Sequence, residues 1–394
     1  YTTLFRSPCL TKVAGSRTFP CIINPSRDTG QPRPARRGDD MSKPNVLIYA
    51  PREEPKDILD RLTSAGVDIS YGEKAWQMPR TDFEADFAAA VRDKVALMGT
   101  SIRHTPITRA VMAEAQRLRV IAKYTVGVDD IDTDAATDLG IMVCHAPTES
   151  NCFGVAETTM AMMLAMLKRV VQRDREVREG KWREPHMATT FLGSREDGYP
   201  GITIGLVGLG RIATRVSQLL APWRVKVIAY DPYAEPSRFQ LTGVRRVDYE
   251  TLLRESDVVS FHVVLTKETR FMLREEQIKL MKPSAIIINT ARGKVIDETA
   301  VAKAIAEGRL RGAAIDAFEE EPLGMDSPLR QLGDKVLLSP HSASFNEGGE
   351  LAPGIQWALR SVLSALRGEV PDNVYNKEVI PRWREKFGGA SLIG

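Results

Sequence analysis

The chain has 394 residues, of which 43% are hydrophobic and 27% charged, and its formal net charge at pH 7 is +3. That length favours two or more domains with ample hydrophobic cores. Residues 1–40 hold seven Lys or Arg against three Asp or Glu, a balance of +4, so the rest of the chain carries −1. The body of the protein is therefore not basic, which argues against nucleic-acid binding as its main role.

Residues 1–40 lack an initiator methionine and show little periodicity, whereas Met41, followed by Ser-Lys-Pro, has the features of an authentic start. Two interpretations stay open for this leader, non-native translated sequence and an organelle transit peptide, and both predict disorder before Met41. The cysteines of the body, Cys144 and Cys152, lack C-x-x-C spacing. This pattern supports neither a metal site nor a disulfide framework, and it favours the reducing cytoplasm.

After residue 41, apolar strands alternate with helical segments in a first, smaller α/β unit. The predicted strands are residues 45–50, 94–98 and 120–124, and the predicted helices are residues 56–65 and 108–115. A long helix is then predicted over residues 155–177. It does not predict a membrane span, because Lys168 and Arg169 interrupt its apolar stretch well before the ~20 residues that crossing a bilayer needs.

Residues 201–220 read GITIGLVGLGRIATRVSQLL and predict a strand, a glycine turn and a helix. Gly208, Gly210 and Ala213 fill the three small positions of the dinucleotide-binding motif, in which helix-start amides face a pyrophosphate. The next strand, residues 225–230, ends at Asp231. A carboxylate there can accept hydrogen bonds from ribose hydroxyls and repels a 2′-phosphate, so the sequence predicts NAD rather than NADP.

Four further apolar runs follow, separated by helix-like stretches such as residues 299–307, at residues 257–264, 284–290, 311–318 and 335–339. The alternation predicts a doubly wound parallel sheet, whose ligands bind beyond the carboxyl ends of the strands. Arg292, Glu321 and His341 each follow one of these strands. We therefore expect a guanidinium, a carboxylate and an imidazole to converge beside the nicotinamide.

These three side chains suit hydride exchange between a nicotinamide and a 2-oxo or 2-hydroxy acid. Arg292 offers a planar fork for a substrate carboxylate. His341 can exchange a proton with the substrate oxygen, since imidazole titrates near neutrality, and Glu321 can orient it. Structural roles are the alternatives. Arg292 would form an ion pair, Glu321 would be a surface acid, and His341 would be a histidine near a proline whose hydrogen bonds are made within the protein.

Five motifs carry a resemblance to a known family: GLVGLGRIA at 205–213, HVVLTKET at 262–269, NTARGKVID at 289–297, AAIDAFEEEPL at 313–323 and LLSPHSAS at 337–344. In this order and spacing they resemble the D-isomer-specific 2-hydroxyacid dehydrogenases, over nearly all of residues 41–382. The resemblance implies that Arg292 binds substrate, that Glu321 pairs with histidine and that His341 is the proton donor.

The resemblance also implies a fold and further contacts. A Rossmann NAD-binding domain, residues 148–341, would be inserted into a smaller flavodoxin-like α/β substrate domain, residues 41–147 and 342–382, with residues 383–394 as a C-terminal tail and a homodimer as the assembly. The implied substrate-binding residues are Ser101, Arg103, Val126 and Gly127, together with Arg292. The implied cofactor-binding residues are Gly208, Gly210, Arg211, Ile212, Asp231, His262, Thr290 and Asp316, the last near the nicotinamide carboxamide.

Three positions depart from the family pattern, namely Thr125 at the start of the substrate-binding turn, Asp130 where asparagine is common and Val264 where proline is common. None removes a group that hydride transfer needs. The sequence predicts an NAD-dependent oxidoreductase of the EC 1.1.1 class acting on a small D-2-hydroxy acid or 2-oxo acid of phosphoglycerate, glyoxylate or hydroxypyruvate type. An NAD(H)-sensing scaffold like the C-terminal binding protein co-repressors and a phosphite-oxidising dehydrogenase remain the alternatives.

Overall fold

Two parallel β-sheets organise the chain. The computed structural model describes residues 43–52, 54–73, 83–101, 106–347 and 351–394. The strands are β1 Asn45–Ala50, β2 Asp68–Tyr71, β3 Lys94–Gly99, β4 Val120–Lys123, β5 Met142–Cys144, β6 Thr203–Val207, β7 Lys226–Tyr230, β8 Arg245–Arg246, β9 Val258–Phe261, β10 Ile286–Asn289, β11 Gly312–Ile315 and β12 Val336–Leu338.

Helices cover the faces of both sheets. They are α1 Lys56–Ser64, α2 Glu84–Ala90, α3 Arg109–Glu114, α4 Thr133–Leu139, α5 Glu149–Leu167, α6 Val170–Arg178, α7 Arg211–Leu220, α8 Pro236–Thr242, α9 Tyr249–Glu255, α10 Glu275–Ile278, α11 Glu298–Ala306, α12 Ala352–Leu366 and α13 Ile380–Phe387. Residues Lys43–Gly394 form one compact unit.

The first sheet has five parallel strands in the order β2-β1-β3-β4-β5, which is the flavodoxin-like order. Successive side chains of a strand point to opposite faces, so β1 supplies two cores. Val46 packs in the core that α12 covers, and Leu47 and Tyr49 pack in the core of α2 and α3. Helices on both faces explain why the strands read as continuous apolar runs.

The second sheet has seven parallel strands in the order β12-β11-β10-β9-β6-β7-β8. Counted from β6, this is the doubly wound order with an additional strand at one edge. The strand order reverses at β6, which lies between β9 and β7, so a crevice opens beyond the carboxyl ends of β6 and β9. The predicted α/β fold, a Rossmann sheet within a flavodoxin-like unit, is confirmed.

The chain returns to the first sheet after β12. Helix α12 covers that sheet. The backbone N–H of Val143 then donates a hydrogen bond to the side-chain Oδ1 of Asn376 at 2.8 Å. Residues 383–394, predicted as a tail, begin inside α13. Trp383 is fully buried in the core of the first sheet, and its indole N–H donates to the Arg119 carbonyl at 2.9 Å.

The single helix predicted over residues 155–177 is wrong. Two helices occupy this region: α5 begins earlier, where the Thr148 hydroxyl caps it, and α6 follows after a break. Arg169 stands in the break with φ 50°, a left-handed conformation that no continuous helix contains. Within the described ranges, no helix combines the length and apolar character that a membrane crossing requires.

Candidate active site

The glycine turn between β6 and α7 has the shape that a dinucleotide pyrophosphate requires. Gly208 has φ +89°, and a Cβ built there would lie 3.0 Å from the His262 carbonyl oxygen, so a side chain would be strained. Gly210 precedes α7, and a Cβ built there meets no heavy atom within 4 Å. This open face and the free amides of the helix start fit a phosphate that approaches the backbone closely.

Asp231 follows β7 and holds the glycine turn. Its Oδ2 accepts a hydrogen bond from the Leu209 amide at 2.8 Å, and its Oδ1 accepts from the Tyr233 and Ala234 amides, each at 2.9 Å. These bonds fix the carboxylate at the carboxyl edge of the sheet, beside the turn. A carboxylate oxygen has two lone pairs, so Oδ2 can still accept from a ribose hydroxyl.

Two of the predicted cofactor contacts lie on the first turn of α7. The Arg211 guanidinium is exposed and donates to the Pro147 carbonyl at 2.6 Å, so it points towards the segment that enters α5. Ile212 is partly buried against the core of the second sheet. Both residues flank the open face of Gly210.

Two more predicted contacts follow strands β9 and β10. The His262 Nε2 lies 2.9 Å from the Ser260 hydroxyl, and burial lowers the pKa of His262 to about 4, which leaves the imidazole neutral at pH 7. The Thr290 hydroxyl lies 2.9 Å from that of Thr159 on α5. The first bond orients the imidazole, and the second ties the end of β10 to α5.

Arg292 reaches from the second sheet to the first. Its Nε donates to Asp129 Oδ2 at 2.7 Å, and its Nη1 donates to the Ala291 carbonyl at 2.8 Å. A Cβ built on Gly127 would lie 2.2 Å from Arg292 Nη2. The guanidinium therefore lies against the turn that contains Val126 and Gly127, and its remaining N–H groups can serve a ligand carboxylate.

Glu321 and His341 form the pair that the sequence predicts. The His341 Nδ1 lies 2.8 and 3.0 Å from the two carboxylate oxygens of Glu321. Glu321 Oε1 also accepts from the Phe318 amide at 2.9 Å, so the carboxylate is itself held. A carboxylate acceptor requires a proton on Nδ1, which directs Nε2 to the other side of the ring.

Asp316 anchors the segment that carries His341. Its carboxylate is 1% exposed and accepts from the Ser339 hydroxyl at 2.6 Å, the Ser342 amide at 2.9 Å and the Ala343 amide at 3.1 Å. The imidazole thus stands on a loop fixed on both sides to one buried charge. The nicotinamide contact implied by the family resemblance stays a prediction for this residue.

Two glutamates join the arginine turn to the loop that carries Glu321. The Glu298 amide donates to the Glu319 carboxylate at 2.9 Å, and the Glu319 amide donates to the Glu298 carboxylate at 2.5 Å. A Cβ built on Gly293 would overlap the Phe318 carbonyl, so the two backbones are in direct contact. Burial raises the pKa of Glu298 to about 7, with nearby acids adding to that effect.

The predicted substrate residues of the first sheet lie at the ends of β3 and β4. The Ser101 hydroxyl lies 3.1 Å from the Lys123 ammonium. The Val126 carbonyl lies 3.3 Å from the His145 imidazole. Arg103 lies outside the described residues.

Three residues near the arginine were not singled out for a role from the sequence. Asp129 binds Arg292 directly, and the Asp-Asp pair that follows β4 was its available signal. The His145 ring packs 5.8 Å from that of Tyr375, and burial lowers the pKa of His145. Within the part of the chain that the structure describes, no group of three His, Cys, Asp or Glu side chains could hold a metal ion.

Known proteins share this architecture. A family model described as "D-isomer specific 2-hydroxyacid dehydrogenase, NAD binding domain" matches residues 160–343. The glyoxylate reductase of Thermofilum pendens is 37% identical over 346 residues, which cover 86% of this chain and 96% of that protein.

Two solved structures extend the comparison. The D-lactate dehydrogenase of Aquifex aeolicus, complexed with NAD and lactic acid, has a TM-score of 0.69 at 26% identity and covers 86% of this chain and 98% of its own. An acyclic imino acid reductase in complex with NADPH and D-Arg has a TM-score of 0.70 at 26% identity, covering 84% and 99%.

The fold, the glycine turn and these similarities define an NAD(P)-dependent oxidoreductase. The chain belongs to the D-isomer specific 2-hydroxyacid dehydrogenase family, within the EC 1.1.1 class. The two similar structures were solved with NAD and with NADPH, so family membership alone does not select the cofactor.

Proposed function

We propose that the protein transfers a hydride between NAD(H) and a small D-2-hydroxy acid or its 2-oxo form, of the glyoxylate or hydroxypyruvate type. The observation that carries the proposal is the Glu321–His341 pair, because the loop that carries Glu321 is in backbone contact, through Phe318, with the turn that presents Arg292. The similarity to a glyoxylate reductase supports a substrate of this size.

The residues divide the work by their chemistry. Arg292, with the Val126 and Gly127 amides, binds the substrate carboxylate. NADH, when bound, supplies the hydride. His341 Nε2 donates a proton to the substrate oxygen in the reductive direction and accepts it in the oxidative direction, because Nδ1 is engaged with Glu321. Glu321 stabilises the charged imidazole and keeps its orientation.

Cofactor binding is assigned to the edge of the second sheet. The pyrophosphate would lie on the turn containing Gly208 and Gly210, with Arg211 and Ile212 beside it. The Asp231 carboxylate would bind the ribose hydroxyls and repel a 2′-phosphate, which supports NAD over NADP. His262, Thr290 and Asp316 would complete the adenosine and nicotinamide sides.

The activity test is NADH consumption with a panel of 2-oxo acids. We expect His341→Ala and Arg292→Ala to lower kcat/KM by about 10²–10⁴-fold while NADH binding, followed by fluorescence titration, is retained. Arg292→Lys is the matched control for charge, since it keeps the cation and loses the fork. Unchanged turnover in both alanine variants would remove these assignments, and a wild-type chain that binds NADH without turnover would favour a nucleotide-sensing scaffold.

The cofactor preference has its own test. Asp231→Ala should narrow the ratio of kcat/KM for NADH to that for NADPH, because the repulsion of the 2′-phosphate is removed. Glu250→Ala, which removes an exposed acid on α9, is the control for the loss of one negative charge. A ratio unaltered in Asp231→Ala would contradict the ribose role.

We also propose two domains with the boundaries predicted above, a substrate domain of residues 41–147 and 342–382 and a cofactor domain of residues 148–341. We further propose that two copies of the chain form a homodimer. Exposed apolar side chains on α6 and just beyond it support an interface there, with Val170 54%, Val171 53% and Trp182 70% exposed. Light scattering should give about twice the chain mass of 43.7 kDa. Val171→Glu should shift the mass towards the monomer, and a monomeric wild type would refute the proposal.

The cytoplasm is the proposed compartment. Cys144 and Cys152 are buried free thiols, which suits reducing conditions. Imaging of the full chain fused to a fluorescent protein tests this placement.

A further inference from the structure

An ion pair joins the ends of the two sheets at the proposed substrate site. Asp129 lies on the segment after β4 of the first sheet, and Arg292 lies on the segment after β10 of the second. The Arg292 Nε donates to Asp129 Oδ2 at 2.7 Å. A Cβ built on Gly127 would lie 2.2 Å from Arg292 Nη2 and 2.9 Å from Asp129 Oδ2, so the turn passes directly over both partners.

The pair is poorly explained as a stabilising contact. The Arg292 side chain is 30% exposed and the Asp129 side chain is 47% exposed. Ion pairs that are accessible to water to this extent contribute little to the free energy of unfolding. An acid beside a site proposed for an anion also weakens the binding of that anion by repulsion. The position of Asp129 is better explained by the geometry that it gives to the guanidinium.

The contact with Asp129 determines which edge of the guanidinium can serve a ligand. Arginine has five N–H donors in one plane, and a carboxylate can bind either to the edge formed by Nε and Nη2 or to the end formed by Nη1 and Nη2. Asp129 accepts from Nε, and the Ala291 carbonyl accepts from Nη1. These contacts leave one donor on Nη1 and two on Nη2. The end of the guanidinium that carries them lies beside the turn of Val126 and Gly127.

Two aromatic rings belong to the same cluster. The His145 ring lies 5.8 Å from the Tyr375 ring, and His145 Nδ1 lies 3.3 Å from the Val126 carbonyl. Burial raises the pKa of Tyr375, and the charge of Asp129 adds to that effect while Arg292 opposes it. The Tyr375 hydroxyl is therefore close to both charges. These rings narrow the space in which the guanidinium can reorient.

We propose that Asp129 is a positioning residue for Arg292, which holds the guanidinium by Nε so that its Nη end faces the substrate carboxylate at the turn. This inference rests on the proposed function and adds to it a residue that contacts Arg292 rather than the substrate. A guanidinium fixed before the ligand arrives does not have to be ordered when the ligand binds, which avoids an entropic cost. Asp129 weakens anion binding by its charge and strengthens it by orientation, and the second effect is the larger.

Two variants separate orientation from charge. Asp129→Asn keeps an oxygen that can accept from Nε and loses the charge, whereas Asp129→Ala loses both. We expect Asp129→Ala to raise KM for glyoxylate about fivefold to tenfold, with kcat within about threefold of wild type and the Kd for NADH unchanged. Asp129→Asn should leave KM below that of wild type or within about twofold of it. Asp138→Ala, which breaks an exposed ion pair with Arg109, is the matched control and should change none of these quantities.

Substrate binding can also be measured apart from turnover. Oxamate is an analogue of a 2-oxo acid that keeps the carboxylate and is not reduced. Its Kd for the NADH complex should change in the same direction as KM in both variants. In the Arg292→Ala background, Asp129→Ala should cause no further loss of kcat/KM, because Asp129 acts through the guanidinium.

Several results would overturn the proposal. An unchanged or lower KM in Asp129→Ala would show that Asp129 does not position Arg292, and equal rises in both variants would show that charge matters rather than orientation. A further loss in the Arg292→Ala background would show that Asp129 acts independently of the guanidinium. A wild-type chain that binds oxamate but turns over no 2-oxo acid would refute the proposed function alone, because the oxamate affinities would still decide the role of Asp129. A wild-type chain that does neither would refute both.

Discussion

Replacement of Asp316 tests whether one buried charge holds the proposed proton donor in place. The carboxylate accepts from the Ser339 hydroxyl and from the Ser342 and Ala343 amides, on both sides of His341. Asp316→Ala removes all three bonds in a region where the side chain is 1% exposed, so water compensates poorly. Asp316→Asn keeps the volume but loses the charge and one acceptor atom.

The expected cost follows from the bonds. Each buried donor left without a partner costs about 1–3 kcal/mol, and relaxation of the loop recovers part of the sum. We therefore expect Asp316→Ala to lower the free energy of unfolding by about 3–5 kcal/mol and Asp316→Asn by about 1–3 kcal/mol. A displacement of the imidazole by about 1 Å should lower kcat by about 10²-fold.

Urea unfolding followed by tryptophan fluorescence measures the first effect, and steady-state NADH consumption with glyoxylate measures the second. Asp248→Asn is the matched control, because this exposed aspartate also accepts from a backbone amide, that of Thr251, but caps the remote helix α9. It should change neither quantity appreciably. The reasoning fails if Asp316→Ala leaves unfolding within 1 kcal/mol and kcat within twofold of wild type.

Three further variants probe other parts of the structure. Gly127→Ala should raise KM for the 2-oxo acid about tenfold or more with the Kd for NADH unchanged, because its Cβ would overlap the Arg292 guanidinium; an unchanged KM would contradict that contact. Burial raises the pKa of Glu298 from 4.5 to about 7, so between those values the folded state binds more protons than the unfolded chain and stability falls as pH rises. Glu298→Gln removes this loss. In urea unfolding, the free energy of unfolding of the variant minus that of the wild type should be about 1–3 kcal/mol higher at pH 8 than at pH 5. An equal difference at both pH values would refute the raised pKa. Trp383→Ala should lower the free energy of unfolding by about 3–5 kcal/mol in the same assay, because it removes a fully buried indole from the core of the first sheet. A decrease below 1 kcal/mol would show that residues 383–394 are a dispensable tail.

Local sequence patterns were sufficient for most of the fold. Apolar runs bounded by turns predict strands without knowledge of their neighbours, and β1 matches its predicted bounds at residues 45–50. The glycine spacing predicts the turn between β6 and α7, since only small residues fit it. The predicted helix over residues 155–177 failed because helical periodicity continues through Lys168 and Arg169, while Arg169 adopts a left-handed conformation that separates α5 from α6.

The chemical types at the site were also readable from the sequence. Arg292, Glu321 and His341 each follow a strand of a parallel sheet, and parallel strands bring their carboxyl ends to one edge. One contact between these side chains, the Glu321–His341 pair, was also predicted from the sequence.

Sequence by itself determined the element types, the parallel sheets and the kinds of side chain at the cofactor edge, because each depends on periodicity or spacing along a short stretch of chain. Tertiary structure alone decided that Arg292 binds Asp129, 163 residues away, and that Asp316 anchors the His341 segment. It likewise decided that Asp130 neutralises a buried lysine. Such contacts depend on sheet order and on which buried charges find partners, and that choice is made only when distant segments pack together.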